Sequence, residues 1–432
     1  MADNNGVYNS KDYEIKQLEL MNSGGQTIDL RNIFLEMQIF QDLYSSVMNG
    51  NILINEGNDT FGNFYLCGNE YLKISIDKPG LNRPLDRLFR IYKTTDRRPS
   101  SDSGQVYLLH FCSDEMISSE SLIVSKAYKT TKIRDVVNDI LVNELGVDSQ
   151  RIASLEQTSG SFDLIVPGQR PFEAIQWVTA RGYDQKKFCY FFFENKNGFN
   201  LTSLQTLIKQ KPYKKLKYEL KNTEGNDPAL NKDSIDDFVI LNDFDMITSI
   251  SNGSFSSRLL SIDIFSQKFE NIDYNLETAE AQGNLLNKFK PVNSFKNSKN
   301  QTLFNSPYAF FRTYLTINDT ASEKSNDIKY WMQPRAMHMS LLNHFKIQIT
   351  IPGDIELKAG DVVEYEFPSF ESADAGGKKL DKQRTGKYLV ASINHKFNGD
   401  TFESIVELVS DSFSEVIPQA KDGLNKLTKK GK

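Results

Sequence analysis

The sequence predicts an α+β, mainly β chain that builds one small β-barrel twice, near its two ends, around a small inserted α+β domain. Three observations predict this. The first is a repeated order of apolar strand segments. Near the N-terminus, Gly68-Asn69 precedes a strand (Tyr71, Leu72, Ile74, Ile76), a second (Phe89, Ile91, Tyr92), a polar turn from Arg97 to Gly104, and a third (Val106 to Phe111) ending in Ser113-Asp114. Near the C-terminus, Gly360-Asp361 precedes Val363, Tyr365 and Phe367; then come Tyr388, Leu389, Val390 and Ile393, the turn Asn398-Gly399, and Phe402, Ile405, Val406 and Leu408, ending in Ser410-Asp411. The second is composition: 29 Phe and 18 Tyr in 432 residues favour pleated, half-buried surfaces. The third is that clear helical spacing is concentrated between the two repeats.

The chain is long enough for two to four domains with ordinary cores. With 39% hydrophobic and 25% charged residues it is globular. Its net charge of −5 argues against a dedicated nucleic-acid binder, though it does not exclude a channel through which DNA slides without sticking. Residues 1–114 read as the first barrel. Ile33, Leu35, Met37 and Ile39 alternate with polar residues, the mark of a strand with one buried face. Asn49-Gly50, before Ile52-Leu53-Ile54, reads as a hairpin turn because both residues tolerate positive φ.

Residues 115–212 read as the inserted α+β domain. Ile133, Val136, Val137, Ile140 and Leu141 recur at helical spacing, with Thr130 or Thr131 as cap and Gly146 as the left-handed stop. Pro171 and Gly182 bracket a second helix. Phe188 to Phe193, the turn at 195–198, and Phe199 with Leu201 read as a hairpin. Residues 222–237 form an acidic linker. The second barrel is expected to be split, over 213–275 and 336–412, with a strand at Phe238-Val239-Ile240, a turn at Asn252-Gly253 and a clean alternation at Phe345, Ile347, Ile349 and Ile351. Residues 276–335, rich in Asn, Lys and Ser with isolated aromatics (Tyr308, Phe310, Phe311), read as an insertion of modest structure. Ser369 to Arg384 reads as a solvated connector, and 413–432 as a tail bearing five lysines from Lys421 onward.

No constellation for chemistry emerges, so no catalytic, cofactor-binding or metal residue is assigned and no enzyme activity is expected. His338 and His344 are six apart, a spacing that suits no ligand pair on one helix face, and His110 and His395 lie in predicted strands. Cys67, Cys112 and Cys189 have no metal or redox spacing and read as reduced thiols of a protein made in cytoplasm. Asp236, Asp237, Asp243 and Asp245 lack the register of a calcium loop and read as an acidic face or lumen rim. The start carries no signal-peptide pattern, and no apolar run reaches the ~18 residues of a membrane helix.

The run from Ile39 to Ile54 resembles the first barrel of baseplate central hub proteins from contractile-tailed phages. So do His110 to Glu115, Val124 to Tyr128, the helix at 131–145, and Gly198 to Leu207. Gly386 to Val390, Ile393-Asn394-His395 and Val406 to Ser412 complete the resemblance, which covers the chain apart from about 276–335. It implies two tube-type barrels per subunit and a homotrimer whose six barrels meet the hexameric tail tube. The same trimer would carry the central spike and enclose the DNA channel. Implied partners are the chain itself, the tail tube protein and the spike protein, with the tape measure protein and other baseplate proteins as further candidates. DNA is a passenger only, no membrane insertion is expected, and the location is the virion baseplate. Subunit interfaces on the order of 2,000 Å² or more are expected of such an obligate trimer, around a neutral to acidic lumen. Two alternatives are a spike protein of a type VI secretion or related contractile injection system and, from another class, a tail-associated cell-wall hydrolase.

Overall fold

The computed structural model describes residues 13–416, apart from 58–60, 62–63, 65, 79–83, 101–103, 185–186, 219–232, 264–266, 278–282, 284, 293–301, 305–308, 316–327, 370–379 and 400. Tyr308 and the tail beyond 416 therefore lie outside the described residues, as does most of the 369–384 connector.

The first unit comprises β1 (Glu14–Met21), β2 (Thr27–Asp29), β3 (Phe34–Asp42), β4 (Asn49–Gly57), β5 (Tyr71–Asp77), β6 (Leu85–Pro99) and β7 (Gly104–Ser113). Alternation buries Met37 and Ile39 of β3, Ile52 and Ile54 of β4, Leu72, Ile74 and Ile76 of β5, and Leu109 and Phe111 of β7 in one core. Asn49-Gly50 is not a turn. Both residues lie inside β4, where Gly50 pairs with Ile39 on one side and Phe111 on the other. The chain reverses earlier, through Leu43 to Met48, and Gly50 serves to admit the Phe111 ring.

The inserted domain follows: α1 (Asp114–Ser121), β8 (Val124–Thr131), α2 (Ile133–Asp139), β9 (Ile152–Leu155), β10 (Phe162–Gln169), α3 (Pro171–Thr179), β11 (Tyr183–Asp184), β12 (Lys187–Phe188), β13 (Tyr190–Asn195), β14 (Gly198–Ser203) and α4 (Leu204–Ile208). The helix at α2 continues as one π-helical turn over Ile140–Glu144. Its cap is neither Thr130 nor Thr131. Lys132 stands at that position without a side-chain bond, because Thr131 ends β8 and turns its hydroxyl to the Lys129 carbonyl. Gly146, at φ +67°, closes the segment.

The remaining elements are β15 (Lys215–Tyr218), β16 (Ser234–Ile235), β17 (Asp237–Asn242), α5 (Met246–Ser251), β18 (Ser256–Asp263), β19 (Lys268–Asn275), β20 (Ala309–Leu315), α6 (Met332–Leu342), β21 (Phe345–Pro352), β22 (Val362–Glu366), β23 (Gly386–Asn398) and β24 (Thr401–Ser410). Here the sequence reading needs correction. β18 and β19 do not join the second barrel but form a separate three-stranded sheet with β20, from within 276–335. Leu276, Leu303 and Phe304 pack beneath it with Phe255, Met337 and Leu341. Alternation signals a strand but does not name its partner, so the segment's place in the second barrel was not fixed by pattern.

The duplication is explicit in the pairing. The first unit runs β3-β4-β7-β6-β5-β1-β2, and the second runs β17-β21-β24-β23-β22-β15-β16. Strand for strand in chain order, these are the same path. Both long strands carry a bulge at the corresponding place, between Ile91 and Lys93 in β6 and between Val390 and Ser392 in β23. The units differ at one margin: β1 is antiparallel to its neighbours β5 and β2, whereas β15 is parallel to β22 and β16.

Candidate assembly interface

The two units are joined strand to strand. The first half of β23 pairs with β22, and its second half, from Ser392 to Asn398, pairs with β3. One 14-stranded sheet therefore crosses both units. Main-chain pairing supplies the attachment, and side chains fix its register. Lys396 meets Glu36 at 3.1 Å, and the Asn394 amide donates to Gln38 at 3.1 Å. Past the end of β3 the Leu43 N–H donates to the Ala391 carbonyl at 2.8 Å. The Leu43 side chain is buried in a cluster with Leu389, Ala391 and Val409. This joint is a complete worked example of how one barrel of this kind attaches to another.

His395 lies within the joint. Its Nε2 is 3.3 Å from the Gln41 amide and its Nδ1 is 3.1 Å from Ser404 Oγ. Burial pushes it down to about 4, so it is neutral and structural at neutral pH. His338 is also buried, stacked on Phe188 and held down to about 4 by desolvation. His344 packs edge-on to Phe255 and is likewise lowered by burial. His110 lies 2.9 Å from Thr95 Oγ1. The four do not converge, and among the described residues no group of His, Cys, Asp and Glu has metal-site geometry.

The acids after the linker do not form one site either. Asp243 pairs with Arg384 at 2.6 Å, Asp245 caps α5 through the Thr248 N–H, and Asp237 is exposed at the head of β17. Cys112 and Cys189 are buried free thiols, and Cys67 is an exposed one.

One polar cluster was not foreseen. Glu194, at the end of β13, is buried where the inserted domain meets the first unit. It accepts from the Met48 N–H at 2.8 Å, from Ser113 Oγ at 2.5 Å and from Arg151 at 2.7 Å. Arg151 also grips Glu115 at 3.0 Å. One guanidinium thus serves two carboxylates, and burial with the repulsion of Glu194 raises Glu115 to about 7. These residues are scattered over 146 positions, from Met48 to Glu194, so no spacing announces them.

No protein-family model matches the sequence, and no curated protein matches it. Solved structures do. A tail protein from Neisseria meningitidis superposes with a TM-score of 0.54 at 11% identity, over 93% of this chain and 97% of that one. The 43 kDa tail protein of a Shewanella oneidensis prophage gives 0.50 at 10% identity, over 92% and 98%. An Escherichia coli component of the type VI secretion system gives 0.45 at 8% identity, over 94% and 79%. The fold is that of phage tail proteins, as the resemblance read from the sequence implied. Among the described residues no helix is long and apolar enough to cross a membrane.

Proposed function

We propose that the protein is a structural component of a contractile phage baseplate, a trimeric hub that joins the hexameric tail tube to the central spike. The observation that carries this is the duplicated seven-strand path. Two barrels of one topology in each chain let three chains present six similar barrels, so a threefold object meets a sixfold one without a gap in symmetry. The near-complete mutual coverage with the two tail proteins supports the same reading. In this role the partners are two further copies, the tube protein and the spike protein, with tape measure and baseplate proteins alongside; DNA passes through and is not held. The protein acts in the virion, after synthesis in the host cytoplasm, by geometry and not by catalysis.

Light scattering on the purified chain, alone and with tube and spike proteins, tests this. A trimer that caps tube protein, with a threefold outline and a pseudo-sixfold face in projection images, is expected. A chain that stays monomeric at micromolar concentration and binds neither tube nor spike overturns the hub role. Peptidoglycan-cleaving activity in the pure protein overturns the purely structural one.

A further inference from the structure

The joint inside the chain leaves two matching halves unused. β17 corresponds to β3, with Asp237 at the place of Glu36 and Ile240 at that of Ile39; a bulge at Leu241 then puts Asn242 at the place of Phe40. The outer half of β6 corresponds to the outer half of β23, with Tyr92 at the place of Ala391 and Lys93 at that of Ser392. Yet among the described residues β17 pairs only with β21, and β6 beyond Arg90 pairs only with β7. Each is a bare strand edge. That on β17 is apolar: Val239, Ile240 and Leu241 are exposed, and so are Phe244 and Ile247 just beyond it. An open apolar edge of this kind invites pairing with another chain.

We propose that β17 of one subunit pairs antiparallel with Tyr92–Arg98 of β6 in the next subunit, repeating the β3–β23 joint between chains. This rests on the trimeric reading above, since three such contacts close the ring of six barrels. Three transposed details support it. Leu43, just past the end of β3, is 1% exposed in the intramolecular joint, whereas Phe244, just past the end of β17, is 66% exposed. The place that Phe244 would take is an open cleft of about 730 Å³, lined by Tyr92, Cys112 and Met116 among others. Cys112 there corresponds to Val409, which packs with Leu43. The charges transpose as well. Lys396 and Glu36 pair across the internal joint; past the bulge near Asp96, Arg98 stands at the place of Lys396, and Asp237 at that of Glu36. The contact is head-to-tail, with different surfaces on the two partners, so with a threefold rotation between subunits it closes as a ring.

Cysteine pairing reads the register directly. In a Cys67→Ser background, which removes the exposed thiol, Thr95→Cys and Asn242→Cys fall opposite each other, as Asn394 and Phe40 do in the internal joint. Oxidation of the double variant should give linked dimers and trimers on a non-reducing gel. Either single variant alone should give none, and a mixture of the two singles should give linked dimers. A second variant, Phe244→Asp, should raise the concentration at which the trimer dissociates at least about tenfold while leaving the circular dichroism spectrum unchanged. A trimer by light scattering that neither cross-links at these positions nor responds to Phe244→Asp overturns the proposed contact and leaves the hub reading standing. A chain that is monomeric throughout overturns both.

Discussion

At the scale of single residues, the buried cluster around Glu194 binds the inserted domain to the first barrel. The carboxylate is 1% exposed and satisfies a backbone N–H, a hydroxyl and a guanidinium at once. Removing it takes the acceptor from the buried Met48 N–H and leaves Arg151 with Glu115 alone. Glu194→Ala is therefore expected to cost about 3–5 kcal/mol in chemical denaturation, as for a broken buried ion pair. Its neighbour Glu115 sets a pH dependence. The folded-state value of about 7 lies above the 4.5 of the free group, so the folded protein holds this proton more tightly than the unfolded one. That contribution is fully present below pH ~4.5 and is lost as pH rises through about 7. Replacing the group by Glu115→Gln removes the titration. The melting temperature of the wild type relative to that variant should thus fall by about 2 °C or more between pH 5 and pH 7.5, and a constant difference across that range would refute the assignment.

Strand by strand, the sequence disclosed what alternation and turn chemistry can disclose. Phe345 to Pro352 alternates cleanly and forms β21, with Ile347, Ile349 and Ile351 buried. The Asn398-Gly399 reversal is present, with Gly399 at φ +53°. Partner choice was not disclosed, because it depends on packing between segments far apart in sequence; hence β18 and β19 belong with β20. The internal joint left a faint trace, the likeness between Ile39–Leu43 and Ile240–Phe244, which gains meaning only once both are seen as outer strands. Asn49-Gly50 misled because Gly has two uses: it permits a turn, and it also permits close approach. Here a Cβ on Gly50 would lie 2.2 Å from the Gln38 carbonyl oxygen and 2.3 Å from Phe111 Cζ. The core cannot absorb that without moving the ring or separating strands. Gly50→Ala is expected to destabilise the first unit by about 2–3 kcal/mol or more, by the usual cost of overpacking; an unchanged denaturation midpoint would show that the strand shifts freely.

For the whole molecule, the continuous sheet has one face on the barrel cores; the other is covered around Val362, Leu389, Ala391 and Val409 but open along β3, β4, β21 and the outer half of β23, and in the proposed hub this open face bears on passage of DNA. Gln38, Asn51, Gln348 and Asn394 alternate with the buried apolar residues of their strands and so project from it. Its charges come in opposed pairs, Lys396 with Glu36 at 3.1 Å and Lys346 with Glu407 at 2.7 Å. In a ring of six barrels this face would form the channel wall, polar enough to stay wet and neutral enough not to hold a phosphate backbone. Retention of DNA by a protein grows with the number of phosphates its cations neutralise. Unpaired lysines on this face should therefore convert passage into capture. The assembled wild type is expected to show no salt-sensitive binding of double-stranded DNA at physiological ionic strength. The double variant Glu36→Lys, Glu407→Lys frees Lys396 and Lys346 and adds two further cations to each chain. It should bind DNA with an affinity that falls by about tenfold or more on doubling the salt. Because Glu36 also helps set the register of the β3–β23 joint, trimer formation is checked by light scattering and only assembled protein is compared. If the assembled double variant binds DNA no better than the wild type, this face does not line the channel, and the wall must be sought on the opposite side of the ring.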